Sequence, residues 1–400
     1  MGFRCGCDVG AWQRLVLTRR HFIEAGASAA AIALAGPGLL HAAAATATVQ
    51  EATPSPTAVQ GTPVTSGDIV INGTSFFNPL VEVYGDVAVG DRCYVADNTI
   101  LLANEGRSVR LGHETNCQDN AYLLARGRNM VCGNMVSIAH RAVVEDSVIG
   151  DFTFLGFRSR THNATVEEGA MVMHQATVEG VTIRANRIVP VGARILSQAD
   201  ADALPELEEA NVHFKEDVLG VNAEFAEGYI RLFEDLGPNA LTDVGPNPIT
   251  TWNPNQITPT LGSGVRLGEL TRIVGDVRLG NESSVGERTA LRADEGTPII
   301  VGRRARIQSR VTFHALQGTN VVIGVNAQIG DGNVIHGPVT IGDHFLSEDD
   351  CVVFQATVGD NVTLRQGATV AGALTLREGT VVPEQAVILT QEDADALPRP

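Results

Sequence analysis

The sequence is poor in aromatic residues, in cysteine motifs and in positive charge. Aromatic residues make up 5% of the 400 residues while glycine occurs 42 times, which favours thin, regular β-layers over a bulky core. The formal net charge of −17 makes nucleic acids and anionic membranes poor partners. Four cysteines follow no CxxC or zinc-finger spacing and are expected to be mostly buried thiols, although export would permit a disulfide: Cys93, Cys117, Cys132 and Cys351.

The first 45 residues have the features of an export signal. Residues 18–23 (TRRHFI) are similar to a twin-arginine motif, and the alanines at 42–45 suit signal peptidase. The apolar run between them is too short and too rich in glycine and alanine for a membrane span. We therefore predict a signal peptide over residues 1–45 and a periplasmic or extracellular protein with no membrane association after export. The alternative is an uncleaved amphipathic tail.

Two stretches rich in proline and small polar residues divide the rest of the chain. Residues 46–68 are predicted to be a disordered linker, and residues 237–258 an interdomain linker. We expect a first β-helix with C-terminal helices over residues 69–236 and a second β-helix over residues 259–400.

Apolar residues recur every six positions between residues 291 and 341. Examples are Ile323, Ile329 and Ile341, each followed directly by glycine, and Ile335. A period of six is typical of the hexapeptide repeat of a β-helix, in which three hexapeptides form one coil. The predicted fold class is therefore all-β, with two tandem parallel β-helices built from hexapeptide repeats.

Residues 198–236 interrupt the six-residue pattern with helical sequence. Ser197 suits the N-cap of a short helix, and residues 217–233 predict a longer helix packed along the prism. The segment 194–205 (RILSQADADALP) recurs as 387–398 (VILTQEDADALP). The chain thus holds two copies of one domain, the second cut short before its long helix.

Two histidines in the second copy have the spacing of a ligand pair. His314 and His336 are twenty-two residues apart. If residues 317–320 bulge out as a loop, both histidines lie one coil apart on one face, where they could bind a metal. The alternative is two unrelated surface histidines.

Several motifs of the second copy resemble those of γ-class carbonic anhydrases: RADEGTP at 292–298, IQ at 307–308, FHAL at 313–316 and VIHGP at 334–338. The resemblance implies left-handed β-helices in a homo-oligomer of trimeric rings. It also implies a Zn²⁺ cofactor, or Fe²⁺ or Co²⁺, between neighbouring prisms. The implied activity is reversible hydration of CO2 to bicarbonate by a metal-bound hydroxide.

The resemblance makes His314 and His336 the two metal ligands supplied by one subunit. The position of the third ligand holds Asp331 in the second copy and His140 in the first. Residues five apart on a six-residue repeat point out of adjacent faces, so the third ligand has to come from another prism. Either His140 completes a composite three-histidine site, or Asp331 of a neighbouring chain completes a site of two histidines and one aspartate. An empty site is a third possibility.

Other site residues are also implied by the resemblance. Gln308 would orient the bound water or substrate, Arg292 and Asp294 would form an ion pair at the interface, and Glu295 or Glu105 would transfer protons. Because Asn104 replaces Asp294 in the first copy, that pair is expected to be weakened in a composite interface.

Two further functions compete with the enzyme. The first is a non-catalytic β-helix scaffold with a degenerate metal site, because the first copy has Leu124 and Glu145 at the other two ligand positions. The second is a hexapeptide acyltransferase that uses coenzyme A, which the exported, acidic chain suits poorly.

Overall fold

The computed structural model describes residues 64–66, 69–71 and 74–398. The predicted signal peptide and most of the predicted 46–68 linker lie outside the described residues. Val64–Ser66 form a strand that pairs in parallel with Glu82–Tyr84, so the first β-helix begins before residue 69. Among the described helices, none has the length and apolar character needed to cross a membrane.

Each copy is a left-handed β-helix with three faces of parallel strands. The faces are called A1, B1 and C1 in the first prism and A2, B2 and C2 in the second, and the same letter marks corresponding strands. Face A1 contains Val64–Ser66, Glu82–Tyr84, Ile100–Ala103, Tyr122–Ala125, Val143–Glu145, Arg160–His162, Thr177–Glu179 and Arg194–Ile195. Face B1 contains Ile69–Ile71, Asp86–Val89, Ser108–Leu111, Met130–Cys132, Val148–Ile149, Thr165–Val166 and Thr182–Ile183. Face C1 contains Phe76–Phe77, Tyr94–Val95, Asn116–Cys117, Ser137–Ile138, Phe154–Leu155, Met171–Val172 and Ile188–Val189.

The second prism repeats this order, with two long strands that run from face A2 into face B2. Face A2 contains Val244–Gly245, Arg272–Gly275, Ala290–Ala293, Thr312–Ala315, Val334–Gly337, Val352–Val358, Thr369–Leu376 and Val387–Ile388. Face B2 contains Thr260–Leu261, Val277–Leu279, Ile299–Val301, Val321–Ile323, Val339–Ile341 and the later halves of the long strands. Face C2 contains Arg266–Leu267, Ser284–Val285, Arg306–Ile307, Gln328–Ile329, Leu346–Ser347, Thr363–Leu364 and Val381–Val382.

The six-residue repeat has the physical basis expected from the sequence. Ile323, Ile329 and Ile335 are buried inside the second prism, where each apolar side chain contributes about 1.5–3 kcal/mol. Glycine follows the strands because the next coil leaves no room for a side chain. A Cβ added to Gly286 would lie 2.5 Å from the carbonyl carbon of Gln308.

The cysteines are free and buried among the described residues, as expected for structural thiols. Burial raises the pKa of both Cys93 and Cys351 to about 12, so the reactive thiolate is strongly disfavoured.

Three helices follow the prisms. Helix α1 (Gln198–Asp202) has the predicted N-cap, Ser197, whose side chain accepts a hydrogen bond from the Asp200 amide. Helix α2 (Glu209–Leu236) begins earlier than the predicted residue 217. It covers face C1, where Phe76 stacks on Tyr229 with ring centroids 5.1 Å apart. Helix α3 (Gln391–Asp395) repeats α1 in the second copy.

The predicted interdomain linker, residues 237–258, contributes a strand to the second prism. It forms a 3-10 turn at Pro238–Leu241 and then the strand Val244–Gly245. This strand pairs in parallel with Arg272–Gly275 of face A2. The second β-helix therefore begins before residue 259.

The two prisms pack along a seam, the contact between face A2 and the corners that follow the strands of face C1. Corner side chains of the first prism donate hydrogen bonds to backbone carbonyls of the second. Asn98 bonds to Leu270 at 3.1 Å, and Gln175 bonds to Asp350 at 2.7 Å. Face A2 is consequently covered by the same chain.

Candidate metal centre

Three histidines from the two prisms converge at the seam. His314 and His336 are register partners on adjacent coils of face A2, as the spacing predicts. His140 lies in the corner after Ser137–Ile138. One ring nitrogen of each histidine lies within 4.8 Å of the other two, and all three residues are buried. The structure thus brings together the residues of the composite alternative.

Asp331 lies outside this cluster. Its side chain is exposed, and its Oδ1 accepts a hydrogen bond from the Ser309 amide at 2.8 Å. The carboxylate therefore stabilises a corner of the second prism within the chain. Asp331 would have to meet another chain to complete the second alternative.

Each of the three histidines has one ring nitrogen that faces the other two histidines. His140 Nδ1 lies 3.0 Å from Asp119 Oδ2, while its buried Nε2 has no hydrogen-bond partner among the described residues. His314 Nε2 lies 3.1 Å from Asp294 Oδ1, and its Nδ1 lies 3.3 Å from His336 Nε2. Ligand histidines usually contact an oxygen through the second nitrogen. This donor set therefore fits a divalent cation.

Burial favours the neutral, metal-binding form of two of the imidazoles, those of His140 and His336. It lowers the pKa of His140 to about 4 and that of His336 well below its ordinary value. Phe157 stacks on His336 with ring centroids 4.8 Å apart. His174 is also buried and stacks on Phe157 with ring centroids 4.3 Å apart.

Arg292 forms ion pairs with one carboxylate of each prism. Its guanidinium lies 2.8 Å from Asp119 Oδ1 and 2.9 Å from Asp294 Oδ2, and all three side chains are buried. Burial would raise the pKa of both carboxyls, but the charge of Arg292 outweighs it and holds both below the usual range.

Asp119 is the residue that the sequence analysis missed. The expected weakening at Asn104 does not arise, because Asp119 supplies the acid of the first prism. Asn104 is exposed and donates a hydrogen bond to the Arg126 carbonyl at 3.1 Å. The sequence does contain a signal for Asp119. Asp119 lies two residues after Cys117, and His140 lies two residues after Ile138. Because the strands that contain Cys117 and Ile138 pair in register, Asp119 and His140 occupy equivalent corners of adjacent coils.

Two of the predicted catalytic residues are not at the cluster. Gln308 is exposed at a corner of face C2, with its backbone carbonyl accepting the Thr289 hydroxyl at 2.8 Å. Glu105 is exposed on the first prism. In contrast, Glu295 is buried with Oε2 3.9 Å from His314 Nε2. Burial raises the pKa of Glu295.

Helix α2 and the 237–258 segment form a layer over Asp294 that the sequence analysis did not anticipate. Tyr229 donates its hydroxyl to Asp294 Oδ2. The Trp252 indole donates to the Asp294 carbonyl at 2.9 Å. Phe225 lies 6.2 Å from His314 between ring centroids. The first copy's helix therefore supports a ligand of the second copy.

A second group of possible ligand atoms, Glu145, Asp146 and His162, lies on the first prism. The Asp146 carboxylate already accepts the backbone amides of residues 126–128. Arg126 and Arg160 also lie within 3.6 Å of Glu145. These contacts account for the group without a cation.

The chain is similar to proteins of two named kinds. It is 30% identical over 183 residues to a carbonic anhydrase of Methanosarcina thermophila, a match that covers 40% of this chain and 74% of that protein. It is 32% identical over 172 residues to the carboxysome assembly protein CcmM of Nostoc sp., with 40% of this chain and 31% of that protein covered. The chain thus spans about a third of the length of that relative.

A solved hexapeptide transferase family protein from Anaplasma phagocytophilum matches 41% of this chain and 92% of its own, with 21% identity and a TM-score of 0.33. No protein-family model matches the chain.

Proposed function

Because the chain belongs to the γ carbonic anhydrase family of hexapeptide-repeat β-helices, we propose that it catalyses the reversible hydration of CO2 to bicarbonate at the seam. His140, His314 and His336 would hold a divalent cation: zinc, or else iron or cobalt. The observation that carries the proposal is the convergence of three buried imidazoles from two prisms of one chain. When bound, such a cation lowers the pKa of water toward neutrality, so that hydroxide is available.

Carboxylates of the chain would hold the histidine ligands in position and accept the proton that the bound water releases. Asp119 and Asp294 hold the rings of His140 and His314 through their second nitrogens. Glu295 Oε2, near His314, would accept a proton, since its raised pKa makes it a better base than an exposed carboxylate.

Aromatic rings would exclude bulk water from the reacting centre. Phe157 and Phe354 lie 4.8 Å and 5.4 Å from His336 between ring centroids. These apolar walls suit CO2, which is uncharged, better than they suit an ion.

An assembly role is the second candidate. The three histidines are at most 4% exposed, which restricts the exchange of substrate and product with solvent. One relative bears the name carboxysome assembly protein. In this case the metal would stabilise the docking of the prisms, with little or no turnover.

The test compares metal content and CO2 hydration in wild type, His140→Ala and Asp331→Ala. We expect about one divalent ion per chain and activity in wild type, loss of both in His140→Ala, and retention in Asp331→Ala. Asp331→Ala is the matched control because Asp331 is exposed and its hydrogen bonds to described residues lie within its own prism. Wild type with metal but no activity would favour assembly. Loss in Asp331→Ala with retention in His140→Ala would overturn the composite site.

A further inference from the structure

Faces C1 and C2 consist of corresponding strands, but their outer surfaces differ. On C1, Phe76 and Tyr94 pack against helix α2. The corresponding positions on C2 hold Arg266 and Ser284, which are register partners on adjacent coils. The second copy has no counterpart of α2 within the described residues, which end at 398. Face C2 is therefore open and polar where C1 is covered and aromatic.

Three arginines line a groove on this open face. Arg266 and Arg306 lie on strands of C2, and Arg304 lies in the adjoining corner. The groove has a volume of about 530 Å³ and is also lined by Glu282, Ser284, Asn326 and Gln328. Over the part of the chain that the structure describes, no carboxylate forms an ion pair with any of the three arginines.

The groove carries a net positive charge, whereas the chain as a whole is acidic. Three guanidinium groups against one carboxylate leave two positive charges in excess, on a chain whose net charge is −17. Like charges held close on one sheet face repel each other. Arg278, an exposed arginine of face B2, is paired with Asp276 at 2.7 Å, whereas the three groove arginines have no such partner among the described residues. The two excess positive charges of the groove can be balanced by a bound anion.

We propose that the C2 groove, lined by Arg266, Arg304 and Arg306, binds a doubly negative oxyanion, as inorganic phosphate or as the phosphate group of a small molecule. The excess charge matches a dianion. The planar guanidinium donors suit phosphate oxygens, and the Ser284 hydroxyl with the Asn326 and Gln328 amides supplies neutral donors. The strongly acidic chain repels extended polyanions, so the ligand is a small molecule.

The proposal is independent of the metal centre. It depends on face C2, whereas the three histidines lie on face A2 and the first prism. Arginine substitutions in the groove are therefore expected to leave metal content and CO2 hydration unchanged. A defect in one site can thus be distinguished from a defect in the other.

Calorimetric titration of the full, metal-loaded chain with inorganic phosphate at low ionic strength provides the test. We expect one saturable site per chain that sulfate competes for and that Arg306→Gln and Arg266→Gln weaken about tenfold or more. Arg278→Gln on face B2, which also removes one exposed arginine, is the matched control and is expected to bind like wild type.

Two outcomes would overturn the proposal. The first is the absence of saturable phosphate binding in wild type. The second is equal weakening by Arg306→Gln and Arg278→Gln, which would show that only the overall charge matters. If the first outcome is accompanied by binding of an acidic peptide, face C2 is a protein-docking surface instead.

Discussion

Arg292 donates to Asp119 of the first prism at 2.8 Å and to Asp294 of its own prism at 2.9 Å. Each carboxylate in turn contacts one histidine of the cluster, His140 or His314. One guanidinium therefore links the orientation of an imidazole in each prism to the docking of the prisms. This linkage explains how a ligand set divided between two degenerate copies can still be positioned as one site.

Replacing Arg292 tests this linkage. Arg292→Gln leaves two buried carboxylates without their cation, so we expect the free energy of unfolding to fall by about 3–5 kcal/mol. Urea unfolding followed by circular dichroism measures it. Arg278→Gln, which breaks an exposed pair, should cost less than about 1 kcal/mol. Equal losses in the two variants would contradict a special role for the buried bridge.

The Tyr229 hydroxyl is expected to affect metal affinity more than folding. Tyr229→Phe removes the hydrogen bond to Asp294 and leaves the ring packed on Phe76. Loss of such a support commonly weakens metal binding about 10–100-fold, which competition with a chelator would measure. Tyr84→Phe is the control, since Tyr84 bonds to Glu82 on face A1. A change in unfolding free energy with unaltered metal affinity would assign Tyr229 a purely structural role.

Asp97 gives the chain a predictable pH dependence. Burial and the neighbouring Asp119 raise the pKa of Asp97 from 3.8 to about 8. The folded state keeps a proton that the unfolded chain releases, so this carboxyl's contribution to stability decreases as pH rises from about 4 to about 8. Asp97→Asn cannot titrate and should gain stability relative to wild type by about 1 kcal/mol or more between pH 5 and pH 8. Parallel pH profiles for the two proteins would show that the pKa of Asp97 is not raised.

The metal centre should survive dilution. All three histidines come from one chain, so metal content and CO2 hydration per chain are expected to stay constant over a roughly hundredfold dilution. Sedimentation at each concentration would report the assembly state. Loss of metal together with dissociation would contradict this expectation and would favour a site shared between chains in a ring, with Asp331 as the third ligand.

The sequence by itself determined the fold and half of the site. From Ile323 to Ile341 every sixth residue enters the prism, and glycines such as Gly286 and Gly302 lie against the next coil, so periodicity specified the coils. The same register placed His314 beside His336 once the loop at residues 317–320 was allowed for. Export through the twin-arginine pathway remains a prediction from residues outside the described part of the chain.

Only the tertiary structure decided which residues of the first copy meet the second. His140, Asp119 and Tyr229 reach the seam through the docking of the prisms and of helix α2, which depends on surfaces far apart in sequence. Gln308 likewise lies away from the histidine cluster, and its role stays a prediction. At the seam the first copy presents the corner where Gln118 precedes Asp119, whereas the corner residue Gln308 of the second copy is exposed. Local periodicity specifies each prism, but the packing between prisms has no local signal.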